Sequence, residues 1–189
     1  ATLMENRGSV TAIDHDGRKL EKISREMQRL GIGIVSSRKL DLLANGVTGS
    51  LPTQFDRILL DAPCSGLGVI RRNPDTKWSR TPEDIDRCAR RQHALLTTAV
   101  GLLKPEGRLV YAVCSTEPEE TQGVVKSFLK DRPDFGIDDV LTDIPPALRS
   151  LIDQGGRLLA LPHRHGTDGF FAVRLRRTEK TDQSDGRRR

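Results

Sequence analysis

A chain of 189 residues, 35% hydrophobic and 30% charged, is long enough for one domain with a real core. It has no apolar run near the roughly 20 residues that cross a bilayer and no signal peptide, which points to the cytoplasm. Its three cysteines show no CxxC or Cys/His spacing, so neither a disulfide framework nor a metal site is expected. The net charge of +5 leans toward a polyanionic partner, although several arginines fall in residues 177–189, which look like a disordered basic tail.

Ala1 to Arg7 reads as the end of a helix closed by Gly8. Ser9 to Ile13 predicts a strand ending at Asp14, and Gly17 to Leu30 a helix with Leu20, Ile23, Met27 and Leu30 on one face, together half of a βαβ unit. Ile32 to Val35 predicts the next strand, with Asp41 in the loop beyond. Phe55 to Leu60 predicts the strand that delivers Asp61 and Cys64, and Gly66 to Arg80 a long basic loop. Thr81-Pro82-Glu83-Asp84 carries a cap, a first-position proline and first-turn acids, so it starts a helix that runs to about Leu103. Arg108 to Val113 predicts the strand that delivers Cys114, followed by an amphipathic helix from Glu117 to Lys130. Asp131 to Asp153 shows no period and reads as irregular. Arg157 to Leu161 and Gly169 to Leu175 predict a closing antiparallel pair. The fold class is α/β, with a mostly parallel sheet and a C-terminal antiparallel strand pair.

In open α/β sheets, ligands gather beyond the carboxyl ends of strands, so Cys64 and Cys114 are candidates to share one crevice. A small buried core cysteine is the bland alternative for each. Their Pro/Ser/Gly and Ser/Thr surroundings argue against it, whereas Cys88, mid-helix, reads as structural. Asp14 stands where such folds place an acid for ribose hydroxyls, or else serves the helix dipole. Asp41 taken singly reads as a solvated loop acid. Arg71, Arg72, Lys77 and Trp78 combine cations with the single tryptophan, which suits single-stranded nucleic acid, against the alternative of a solvated basic loop. His163 and His165, an HxH pair that is weak evidence for a metal, read as turn residues open to phosphate contact.

Three stretches, ILLDAPCSGLGVIRRNPDTKW, LVYAVCSTEPEE and HGTDGFFAVRL, resemble motifs of the Sun-type (Nol/Nop/Sun) RNA cytosine-C5 methyltransferases, close to those that modify bacterial small-subunit rRNA. The likeness covers most of Gly8 to Arg176. It implies a Rossmann-like sheet using S-adenosyl-L-methionine and an RNA substrate, with residues 1–176 as the catalytic domain. By the family pattern Cys114 attacks C6 of cytosine, Cys64 assists release, Asp61 bonds the cytosine edge or serves the cofactor site, and Asp14 and Asp41 hold the cofactor. The resemblance also implies a glycine-rich cofactor loop, its strand and an RNA-binding domain upstream of Ala1. The expectation is therefore a C-terminal catalytic fragment lacking the first strand of its sheet. Two other readings stand beside it: a non-catalytic RNA-binding module of the same fold, and a DNA cytosine-C5 methyltransferase in which Cys64 attacks.

Overall fold

The computed structural model describes residues 1–44, 46, 49, 51, 54–141 and 143–178. They form two compact units, Ala1–Leu51 and the described residues that follow. The expected basic tail lies, from position 179 onward, outside the described residues.

In the first unit, β1 (Val10–Asp14) and α1 (Gly17–Arg29) form the expected half of a βαβ unit and β2 (Val35–Lys39) completes it, Val10 pairing in parallel with Val35 and Asp14 with Lys39. Asp16 caps α1 by accepting from the Arg18 amide, and Leu20 is the buried residue of its inner face. Two expectations shift. Ala1 to Arg7 holds only a 3-10 turn, Thr2–Met4, because Glu5 and Asn6 turn left-handed at φ 50 and 58 and a helix cannot continue through them. The second strand starts at Val35, not Ile32. The apolar Ile32–Ile34 run forms the connection before it, where the Gly33 amide is held by Asn6 Oδ1, and backbone pairing with β1 sets a strand that is largely polar and exposed.

The second unit is built on a mixed sheet of β3 (Phe55–Asp61), β4 (Leu103–Val113), β5 (Phe135–Ile137), β6 (Arg157–Ala160) and β7 (Phe170–Arg177). β3 and β4 are parallel, while β7 runs antiparallel to β4, β5 and β6. One face of β4 and β7 presents Leu109, Tyr111, Val113, Val173 and Leu175, all nearly inaccessible. The helices α3 (Pro82–Gly101) and α4 (Val124–Asp131) add buried Leu96, Val100 and Phe128 to that core. Each such aliphatic side chain is worth about 1.5–3 kcal/mol of burial. The start of α3 is as the sequence predicts, with Thr81 and Asp84 exchanging both bonds of a capping box.

The segment read as irregular contains β5, a three-residue strand that side-chain periodicity cannot reveal. It is held by pairing to β7 and by Asp138, which binds Arg108, Arg174 and Arg176. The helix expected from Glu117 opens instead with a π-turn, Glu119–Gly123. That turn closes with the Gly123 amide on the Pro118 carbonyl at 2.8 Å, and only then becomes α4.

Candidate active site at the ends of β3 and β4

Parallel pairing aligns the two cysteine-bearing loops. Asp61 is level with Ala112, and the ladder runs one step further through the Ala62 amide to the Ala112 carbonyl at 3.0 Å. Each strand then turns away. The half-buried Cys64 and Cys114, 50 positions apart, meet with their sulfurs 3.0 Å from each other. Asp61 sits exposed at the end of β3.

The pair is electrically unequal. A thiol proton on Cys64 shared with Cys114 holds the Cys114 thiol down at about 7 against burial and the charges of Asp61 and Glu120. The same bond, with burial behind it, pushes the Cys64 thiol well above its ordinary range. The shared proton therefore favours the thiolate at Cys114 and keeps Cys64 as the donor, and a partly exposed thiolate is the nucleophilic form of cysteine.

A third strand end closes the site. The Gly68 amide donates to the Cys114 carbonyl at 3.1 Å, and the Gly169 amide, just before β7, donates to the Gly68 carbonyl at 2.7 Å. The backbones run so close that a Cβ on Gly68 would lie 2.2 Å from the Gly169 oxygen. This approach explains the second glycine in HGTDGFF, Gly169, where a Cβ would lie 2.9 Å from the Gly68 Cα.

Beneath the loops lies a polar network that the sequence does not announce. Glu120 is fully buried and accepts from the Ser65 amide (2.8 Å), the Ser65 hydroxyl (2.5 Å) and Gln92 Nε2 (3.0 Å). Gln92 Nε2 also donates to the Pro63 carbonyl, and the Tyr111 hydroxyl to Gln92 Oε1 and the Glu120 carbonyl. Glu119 and Glu120 look alike as first-turn acids, and no periodicity signals which one the π-turn directs inward.

The basic loop is more ordered than expected, with a 3-10 turn at Leu67–Val69 and one helical turn, α2 (Thr76–Ser79). Arg71 donates to the Gly166 carbonyl and Arg72 pairs with Asp168 at 2.6 Å, so both arginines also pin the loop to the segment before β7. Trp78 stands 80% exposed with Lys77 Nζ 4.6 Å from its ring centre. Of His163 and His165, the latter closes a short helix, α5 (Pro162–His165), and accepts from the Leu161 amide through Nδ1. Cys88 is half-buried within α3.

In the first unit, Asp14 and Asp41 reach the same end of the β1–β2 pair, where the Leu40 amide donates to the Asp14 carbonyl at 3.0 Å. The Asp16 amide and Lys19 fix the Asp14 carboxylate and lower its pKa, while Asp41 accepts from the Leu43 amide.

Residues 1–176 match the family model for 16S rRNA methyltransferase RsmB/F. The chain belongs to this family. Among RsmB/F relatives, it is 42% identical to a probable ribosomal RNA small subunit methyltransferase B of Bacillus subtilis, covering 94% of this chain and 39% of the relative. It is 37% identical to a ribosomal RNA small subunit methyltransferase F of Aeromonas salmonicida, covering 94% and 37%. The crystal structure of NSun6 from Pyrococcus horikoshii with SFG superposes with a TM-score of 0.77 at 34% identity, over 94% of this chain and 43% of that one. The chain thus spans about two fifths of the length of these RsmB/F relatives, and its fold is the Rossmann-like one that the motifs imply.

Proposed function

We propose that the chain carries the catalytic cysteines of an S-adenosylmethionine-dependent enzyme that methylates C5 of cytosine in RNA, rRNA being the substrate class the family suggests. The observation that carries the reading is the 3.0 Å contact between the Cys64 and Cys114 sulfurs, in which a shared proton lowers the Cys114 thiol and raises the Cys64 thiol. C5 of cytosine is a poor nucleophile. Addition of the Cys114 sulfur to C6 uses the C5–C6 π electrons to make C5 enamine-like. Asp61, at the same strand ends, is suited to accept a hydrogen bond from the base edge and to keep N3 protonated while charge develops. After methylation a base takes the C5 proton, the electron pair re-forms the C5–C6 double bond, and Cys114 leaves. The Cys64 S–H, in contact with the departing sulfur, stabilises it as thiolate. Burial and the shared proton raise the Cys64 thiol, which favours Cys114 over Cys64 as the attacking group.

When bound, S-adenosylmethionine supplies an electrophilic methyl group. The first unit offers residues that suit it: Asp14, fixed by two donors with lone pairs left over, for ribose hydroxyls, and Asp41 at the same end of the β1–β2 pair. The relative solved with SFG, a cofactor analogue, supports S-adenosylmethionine as the family's cofactor. The target base must be unpaired or flipped to reach Cys114. Trp78 offers a stacking ring, while Lys77, Arg71 and Arg72 offer charge for the flanking strand. The test is transfer of a labelled methyl group from S-adenosylmethionine to small-subunit rRNA, followed by nucleoside analysis. The expected product is 5-methylcytidine; label on a ribose or an exocyclic nitrogen would overturn the reading.

A further inference from the structure

The mechanism uses the two sulfurs but leaves unexplained what holds them in contact. We propose that Glu120 is a positioning residue that clamps the Cys64 loop to the segment after Cys114 and so sets the distance between the two thiols. The importance of that distance rests on the proposed function; the clamp itself does not.

The geometry is specific to Cys64. Both oxygens of one carboxylate bind one residue, Ser65, through its amide and its hydroxyl. Gln92, bonded to the same carboxylate, holds the carbonyl of Pro63. The residues on both sides of Cys64 are thus tied to Glu120. On the other side, Glu120 lies six positions after Cys114, and its carbonyl is fixed by Tyr111 on β4. Arg80 completes the hold by donating to the Ser65 carbonyl at 2.7 Å.

All described hydrogen bonds to the Glu120 carboxylate come from neutral donors, although the group is fully buried. Burying a carboxylate is costly unless hydrogen bonds replace its water. A site that needed only filling would be met by an apolar side chain. Here three donors converge, two of them from the residue next to Cys64.

A second role for Glu120 has the opposite sign. Its charge, like that of Asp61, opposes the Cys114 thiolate, whereas the Cys64 S–H favours it. If Glu120 acted only through charge, Glu120→Gln would lower the Cys114 pKa. If it positions Cys64, the amide group turned on the Ser65 donors loosens the loop, the S–H···S contact is lost, and the pKa rises.

The experiment follows iodoacetamide labelling of each cysteine by peptide mass spectrometry across pH, in the whole chain, without RNA or cofactor. For Glu120→Gln we expect the Cys114 pKa to rise by about one unit, which slows its labelling at pH 7 about fivefold. In a Cys64→Ala background the same substitution should no longer raise it, because the two changes remove one interaction. Ser65→Ala, which keeps the charge and deletes one donor, should shift the pKa in the same direction by less, and it decides the matter if Glu120→Gln does not fold. An unchanged or lower pKa in the foldable variant, or an equal rise without Cys64, would overturn the proposal. Failure of methyl transfer would remove the proposed function while leaving this result standing.

Discussion

Two thiols in contact share one proton more easily than they release two, so their titrations separate. Cys114 falls to about 7 because the Cys64 proton stabilises its thiolate, and Cys64 rises for the same reason, with burial added. Deprotonation is the activating step, so reactivity at Cys114 grows as pH rises through its pKa. Labelling of Cys114 should be half-maximal near pH 7, with Cys64 unreactive through pH 9. Equal labelling of both with a midpoint at the ordinary thiol value would show that the pair is not coupled. The two cysteines were legible because each ends an apolar run and is followed by small polar residues. Glu120 and Gln92 were not: a buried acid in an acid-rich turn and a polar residue on an amphipathic helix have the same sequence signature as their solvated neighbours, and only the fold decides which are enclosed.

At the level of elements, the strands and helices with strong local signals were readable. β1, α1, β3, α3 and the β6–β7 pair stand within a few residues of their expected places. Elements set by partners were not readable. β2 is polar and defined by its ladder to β1, β5 is three residues long, and the π-turn owes its form to Gly123 closing on Pro118. The convergence of three strand ends at Gly68 and Gly169 is of the same kind. An added Cβ on Gly68 would strike backbone atoms of Gly169 and Cys114. Gly68→Ala should destabilise the protein by about 1–3 kcal/mol in denaturant unfolding. Gly101→Ala, in the last turn of α3 with open space around its Cβ site, should be neutral or slightly stabilising. Equal effects at the two positions would contradict the close approach.

For the whole molecule, the positive charge and the exposed Trp78 face suit RNA, but neither would distinguish an enzyme from a binding module. What favours the proposed enzyme over a binding module is chemistry placed by topology: a parallel β3–β4 pair delivers two loops to one end, and the loops bring two sulfurs together. None of the described helices is long and apolar enough to cross a membrane. The family match reaches from residue 1 to 176, so the sites of both units fall within it. The central claim is that Cys114 attacks and Cys64 releases, and covalent trapping on RNA carrying 5-fluorocytosine at the target tests it most directly. The fluorine cannot leave as a proton does, so the adduct persists. Cys114→Ala should abolish the trapped complex, while Cys64→Ala should still attack and should accumulate adduct even on unmodified RNA. Trapping that survives Cys114→Ala and disappears in Cys64→Ala would contradict the account.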